Sequence, residues 1–232
     1  MPYLEIEYRP SRWVHSLRAE IARTPALASA DESWRDSELL DLAFALETRV
    51  GNLGELVRQA NEYLRLLNDE FAGVAEQLDA HVANGVAYRV RNEAFLRRTI
   101  ISLTTFVIEA RACFETLAKF YRAFVEKYFG ESISLETAYE EVRNSVAAPG
   151  WSESLRLFRH DLLHERSPWI RFEARGGSPK YEPVLILEYR IDAMPGPQDS
   201  ISLRFLREVG TLLQAALHEI RDQLIRRVKT LQ

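Results

Sequence analysis

Apolar residues that recur every three or four positions constrain this chain more than any other feature. One run spans residues 39–78, and a second spans residues 90–128 and includes Ile101. This spacing places the apolar side chains on one face of an α-helix. An "NG" pair at 84–85 separates the two runs and favours a turn. Two amphipathic helices joined by a short turn bury both stripes when they pack antiparallel, so we predict antiparallel helices near 36–84 and 86–129.

Further along, the pattern predicts shorter elements. "SLETAYEEVRNSV" opens with Ser134, a residue type that favours a helix start, and "APG" at 148–150 ends that helix. A helix at about 151–166 should follow. The apolar period then changes to two within 169–192, which indicates a β-hairpin. An amphipathic helix from about 200 completes the chain. Its predicted buried stripe comprises Leu206, Val209, Leu213, Leu217, Ile220, Leu224 and Val228.

The predicted fold is mainly α: an antiparallel helical bundle with a small β-hairpin or sheet insert. We expect one domain over 1–232, with the insert at 169–192 and an N-terminal strand or helix extension over 1–35. The strand candidate in that extension is "YLEIEY", which alternates and could cover the hairpin.

Composition excludes several classes of protein. No run of 18 apolar residues exists, so we expect no membrane span. The one cysteine, Cys113, excludes an internal disulfide framework and a cysteine-based zinc cluster. The first residues carry acids and no apolar core of a signal peptide, so we expect a cytoplasmic protein.

Charge is distributed unevenly along the chain. Residues 1–88 hold 8 Lys and Arg against 15 Asp and Glu, whereas residues 89–232 hold 22 against 19. A phosphate-binding surface should therefore lie in the second part. Within it, Arg89, Arg91, Arg97 and Arg98 oppose Glu93 alone, which indicates either an RNA track or a solvated helix face.

The stretch "FRHDLLHERSPW" (158–169) holds the candidate site. At about 100° per residue, Trp151, Leu155, Phe158 and Leu162 fall on one apolar stripe of the helix. Off that stripe, Arg156, His160 and His164 form an i, i+4, i+8 ridge with Arg159 beside it. Such a ridge of cations and imidazoles suits an anion such as phosphate.

Three interpretations of this ridge remain open from the residues alone. Histidines at i and i+4 can hold one zinc ion, but Asp161 is shorter than the glutamate of helical zinc proteases and no third ligand is in register. A ribonuclease needs no metal, because a histidine can move protons while an arginine stabilises the phosphorane. A solvated helix face with surface ion pairs is the third interpretation.

The residues from Arg159 to His164 resemble the R-x4–6-H signature of HEPN domains, a helical family of RNA-processing proteins. His160 stands where that family commonly has Asn, Asp or His after the arginine, and "EARACFETLAKFYRAF" is similar to a core helix of some members. The resemblance covers roughly residues 36–232. The hairpin departs from the family's minimal bundle.

The resemblance implies a metal-independent endoribonuclease with RNA as substrate, no cofactor and an active cleft where two such domains meet. Arg159, His160 and His164 would then be catalytic, Arg156 and Arg166 would bind RNA, and no residue would hold a metal. It also implies a homodimer in toxin–antitoxin, defence or stress biology, with an antitoxin as a possible partner. Since many family members have lost activity, the first alternative is a helical binding or scaffold module. The second is a metal-dependent hydrolase that uses His160 and His164.

Overall fold

A computed structural model describes residues 12–27, 38–73, 90–148, 150–164, 168–174, 181–186 and 200–231. Helices dominate these ranges, which confirms the mainly α fold class. They are α1 (Arg12–Arg23), α2 (Glu38–Ala72), α3 (Glu93–Phe129), α4 (Leu135–Asn144), α5 (Trp151–His164) and α6 (Leu203–Lys229). None of the helices in the described ranges is long and apolar enough to cross a membrane.

Three short strands form an antiparallel sheet in the order β1-β2-β3. They are β1 (Trp169–Ala174), β2 (Tyr181–Ile186) and β3 (Ser200–Ser202). Pro183 pairs with Phe172 of β1 and precedes the segment of β2 that β3 covers. This place suits a residue without an N–H, because proline is tolerated where a strand lacks a neighbour on one side.

Residues 200–202 differ from the sequence expectation, which began the last helix at about 200. They pair with Val184, Leu185 and Ile186, and the helix begins at Leu203. The Ser202 hydroxyl then accepts a hydrogen bond from Phe205 N at 3.1 Å, which serves the first turn of α6. The strand candidate "YLEIEY", the turn at 84–85 and the hairpin loop at 175–180 lie outside the described residues.

The chain divides into two compact units, and the three long helices contribute a segment to each. The first unit comprises the described residues within Met1–Val50, Ala112–Pro149 and Leu212–Gln232. The second comprises those within Gly51–Arg111 and Gly150–Thr211, and it contains α5 and the sheet.

In the first unit, α1 is held by an aromatic anchor. Trp13 Nε1 donates to the carbonyl of Leu217 on α6 at 2.9 Å, and its ring meets Phe120 of α3 edge-on at 4.9 Å. An indole satisfies both an apolar contact and a hydrogen bond in this way. Farther along α6, Arg227 binds Glu131 at 2.6 Å and lies 4.2 Å from the centre of the Phe129 ring. These contacts join the chain around the end of α3 to the last helix.

Helix α4 begins as the sequence predicted. Ser134 has an extended backbone, and its hydroxyl accepts a hydrogen bond from Thr137 N at 3.0 Å. Ala138 and Val142, one turn apart, are fully buried. Tyr139 stacks on Phe114 of α3 with 5.8 Å between ring centres.

In the second unit, α2 and α3 approach each other in opposite directions. The Glu70 carboxylate accepts from Arg91 N at 2.6 Å and from Asn92 N at 3.2 Å, so the end of α2 adjoins the start of α3. About two turns before Glu70 on α2, Tyr63 stacks on Phe95 of α3. This order of contacts is that of antiparallel helices, as the sequence predicted for this pair.

The buried stripe of α6 matches the predicted one at every position. Its buried members are Leu206, Val209, Leu213, Leu217, Ile220, Leu224 and Val228. On α3 the prediction was wrong at Ile101, which is 61% exposed, whereas Thr99 and Ser102 are buried. The Thr99 hydroxyl donates to the carbonyl of Phe95 at 2.9 Å, and this local bond allows a polar residue to occupy the buried face.

Candidate functional site

Helix α5 is positioned by its entry turn and by its apolar face. Gly150 has a φ of 84°, a conformation that favours glycine, and its carbonyl accepts from Ser154 N at 3.0 Å. Trp151, Leu155 and Phe158 are then at most 3% exposed. The predicted stripe is therefore present over the first two turns and holds α5 in the second unit.

Leu162 departs from that stripe. It was expected to be buried, but it is only half-buried. Two residues later α5 ends at His164, so Leu162 belongs to the last turn of the helix. Fewer neighbours cover a terminal turn than cover a central one, and the amphipathic pattern cannot reveal this difference.

Arg159 and His160 follow directly after the buried Phe158. Arg159 is half-buried and His160 is exposed. Arg159 lies one turn after the buried Leu155, which places the base of its side chain beside the apolar face. His160 points farther from that face and is accessible to a solute.

His164 is the last residue of α5, one turn after His160. Its backbone continues the ridge that the sequence predicted. Its side chain lies outside the described part of the structure, as does that of Asp161, and so does the whole of Arg166. The structure thus places Arg159, His160 and His164 on one helical segment and describes two of the three side chains.

Arg156, predicted to bind RNA, has an acidic partner on the same helix. Its Nε donates to one oxygen of Glu153 at 2.9 Å, and a terminal nitrogen donates to the other at 2.6 Å. The paired carboxylate raises the pKa of the Arg156 guanidinium. A phosphate that used Arg156 would have to compete with Glu153. Both side chains are about half exposed, so such a surface pair is weak, worth about 1 kcal/mol or less.

An exposed leucine lies within the polar ridge. Leu163 is 46% exposed. At about 100° per residue it falls between Arg159 and His160 around the helix axis. The face that carries the candidate groups is therefore not uniformly polar, and this apolar contact point was missing from the sequence expectation.

Among the described side chains, no three His, Cys, Asp or Glu residues are grouped so as to hold a metal ion. The second histidine of the predicted metal pair is His164, four residues after His160, and its side chain is not described. The described residues therefore add no ligand to the pair from which the metal interpretation started.

Two contributors to the site were missed in the sequence. Glu153 stands three residues before Arg156, a spacing at which opposite charges meet on a helix, and that signal could have identified the pair. The exposure of Leu163 had no such signal, because a leucine beside an apolar stripe is normally assigned to the core.

Comparison of the chain with protein-family models, with curated proteins and with solved structures finds no match.

Proposed function

We propose that this protein is a HEPN-like, metal-independent endoribonuclease whose reaction uses Arg159, His160 and His164. One observation carries the proposal. The buried residues Trp151, Leu155 and Phe158 hold α5 in place, and the next two residues, Arg159 and His160, lie off this buried face. In this proposal the fold is an antiparallel helical bundle and the small sheet is an insert after the catalytic helix.

The residues have the chemistry that RNA cleavage requires. The 2′-oxygen of the substrate attacks the adjacent phosphorus, and the bond from phosphorus to the 5′-oxygen breaks. His164 transfers a proton as acid or base, and Arg159 binds the scissile phosphate through its planar guanidinium. His160 orients the phosphate or supplies the second proton transfer. The products end in a 2′,3′-cyclic phosphate and a 5′-hydroxyl.

RNA outside the scissile bond would meet the neighbouring cations Arg156 and Arg166. The pairing of Arg156 with Glu153 assigns it a secondary role, since the carboxylate must be displaced first. A cytoplasmic setting in toxin–antitoxin, defence or stress biology, with an antitoxin partner, completes the proposal. A small antitoxin gene beside this one would support that setting.

The active form is proposed to be a homodimer in which two ridges face one cleft. One ridge offers few groups for two proton transfers, and a two-fold axis supplies a second set. Leu163, 46% exposed between the candidate groups, provides an apolar contact for such pairing. Light scattering at micromolar concentration should give twice the mass of the 26.8 kDa chain. A monomer at all concentrations would contradict the composite site.

A helical binding or scaffold module is the second candidate. The Arg156–Glu153 pair favours it, because a cation neutralised on its own helix is typical of a solvated surface. A metal-dependent hydrolase that uses His160 and His164 is the third. Activity towards RNA in the presence of EDTA separates the three: only the proposed ribonuclease remains active.

The decisive experiment combines three substitutions with a matched control. Arg159→Ala and His164→Ala should each lower the cleavage rate by about 10²–10⁴-fold, the range typical of general acid–base catalysis. His160→Ala should lower it less if His160 only orients, and equally if it transfers the second proton. His218 is exposed on α6 in the other unit, so His218→Ala should leave the rate unchanged.

Folding should survive the three substitutions, because none removes a residue of the buried stripe of α5. Circular dichroism and thermal unfolding of each variant check this. Cleavage that persists in His164→Ala, or that disappears with EDTA, would overturn the mechanism.

A further inference from the structure

Two aromatic rings form a surface platform where α2 meets α3. Tyr63 and Phe95 are stacked, with 6.3 Å between ring centres and 19° between ring planes. Both residues are half-buried, so each keeps some surface in contact with solvent. We refer to the Tyr63–Phe95 pair as the platform. Neither residue was among the predicted site residues.

An arginine flanks the platform. The guanidinium carbon of Arg98 lies 5.8 Å from the centre of the Tyr63 ring, within the range of a cation–π contact. Arg98 is exposed, and no described carboxylate lies within salt-bridge distance of it. Its charge is therefore available to an anion.

Further positive charge lies next to Arg98. The side chain of Arg97 is 78% exposed and pairs with Glu93 at 3.8 Å. Arg91 is exposed, with no described carboxylate in salt-bridge distance of its side chain. Over residues 91–98 three arginines thus oppose one glutamate.

The acidic groups around the platform are largely occupied. Both oxygens of Glu70 accept backbone N–H groups at the start of α3. On α2, Glu62 lies 3.5 Å from Arg58, and Asp69 lies 3.8 Å from Arg65. The net positive charge is therefore on the α3 side, beside the platform.

Accessible rings next to uncompensated arginines are the combination by which proteins hold single-stranded nucleic acid. Bases stack on aromatic faces without regard to sequence, and arginines bind the phosphates between them. A duplex keeps its bases stacked inside and offers none to such a surface. Metabolite anions would use the arginines but would leave the rings without a role.

We propose that the platform, with Arg98 and Arg91, binds single-stranded RNA. The inference rests on the proposed function, because it takes RNA as the substrate and names the surface that holds it outside the cleavage site. Bases stack on the accessible faces of Phe95 and Tyr63, and Arg98 and Arg91 bind the adjoining phosphates.

The test uses a fluorescently labelled oligouridine with 2′-O-methyl groups, which cannot be cleaved through the 2′-oxygen. Fluorescence anisotropy gives its Kd for the full chain and for four variants. Phe95→Leu removes the ring, Phe95→Tyr keeps it, and Arg98→Gln removes the free charge. Arg58→Gln is the matched control, because Arg58 is an exposed arginine of α2 in the same unit but is bound to Glu55 at 2.6 Å.

Phe95→Leu and Arg98→Gln should each weaken binding by about tenfold or more, the size of one lost base stack or phosphate contact. Phe95→Tyr and Arg58→Gln should bind like the wild type. Arg98→Gln should also lower the slope of log Kd against log salt by about 0.7 for one phosphate contact to a single strand. Because Arg98 is exposed, this variant tests the surface even if Phe95→Leu fails to fold.

The inference would be overturned if the wild-type protein did not bind the oligouridine. Equal affinities of the wild type and Arg98→Gln would also overturn it. Tighter binding of a duplex of the same length would also overturn it. The two proposals fail separately. Binding that depends on the platform without cleavage of unmodified RNA refutes only the ribonuclease, whereas cleavage that is indifferent to Arg98→Gln and Phe95→Leu refutes only the platform.

Discussion

The support of α5 by its apolar face can be tested with one matched pair of substitutions. Leu155 is fully buried, whereas Leu163 on the same helix is 46% exposed. Leucine and alanine have similar helix propensities, so Leu155→Ala and Leu163→Ala leave the helical backbone almost unaffected. The difference between them measures how well each side chain is packed.

The expected magnitudes follow from burial. Removing a fully buried leucine side chain costs about 2–5 kcal/mol of folding free energy. The stabilisation from burying the removed atoms is lost, and a cavity remains in the fold. Leu163 already has nearly half of its surface in water, and its removal leaves no closed cavity. We therefore expect less than about 1 kcal/mol for Leu163→Ala in the monomeric fold.

Urea unfolding followed by circular dichroism gives the free energy of unfolding of each variant, provided that the transition is two-state and its slope is unchanged. Leu155→Ala should shift the midpoint clearly to lower urea, and Leu163→Ala should barely move it. Two equal shifts, or no shift for Leu155→Ala, would show that the packing of Leu155 does not support α5. Concentration-dependent destabilisation of Leu163→Ala would instead identify this leucine as part of the proposed dimer interface.

Two further predictions concern backbone and charge. Gly51 is exposed within α2 and has open space around an added Cβ, so Gly51→Ala should stabilise the protein by about 1 kcal/mol. Gly130 follows α3 with a φ of 64°, so Gly130→Ala should instead destabilise the protein by about 1 kcal/mol or more. Thermal unfolding of the two variants compares these effects. Hydrogen bonds from Arg58 and Gln59 lower the pKa of Glu55 from 4.5 to about 2. The contribution of Glu55 to stability should therefore be complete above pH 4.5 and disappear as the pH falls towards 2. NMR titration should show this low midpoint, and an equally low midpoint in Arg58→Gln would contradict the assignment.

Local sequence signals were sufficient wherever one face of one element decided the structure. The seven predicted stripe positions of α6 are all buried, since an uninterrupted 3.6-residue period over a long helix leaves a single face for the core. The cap at Ser134 was equally local, because a serine hydroxyl reaches the N–H three residues later without help from the rest of the chain. The placement of Arg159 and His160 off the buried stripe of α5 followed from the same residue spacing around a helix.

The burial or secondary structure of a position that depends on a neighbour from elsewhere in the chain could not be predicted from local spacing. Ile101 is exposed while Thr99 is buried, because the surroundings of α3 rather than its own pattern choose the covered face. The strand at Ser200–Ser202 exists because β2 offers it an edge, and its three residues carry no strand signal of their own.

The sequence by itself determined the long helices and the face of α5 that bears Arg159 and His160, since both follow from spacing along one element. Tertiary structure alone decided that Tyr63 and Phe95 stack, that Glu70 caps the start of α3 and that Arg98 lies beside the rings. These contacts join residues more than 20 positions apart, and their formation depends on how α2 and α3 pack. No periodicity within either helix encodes that alignment.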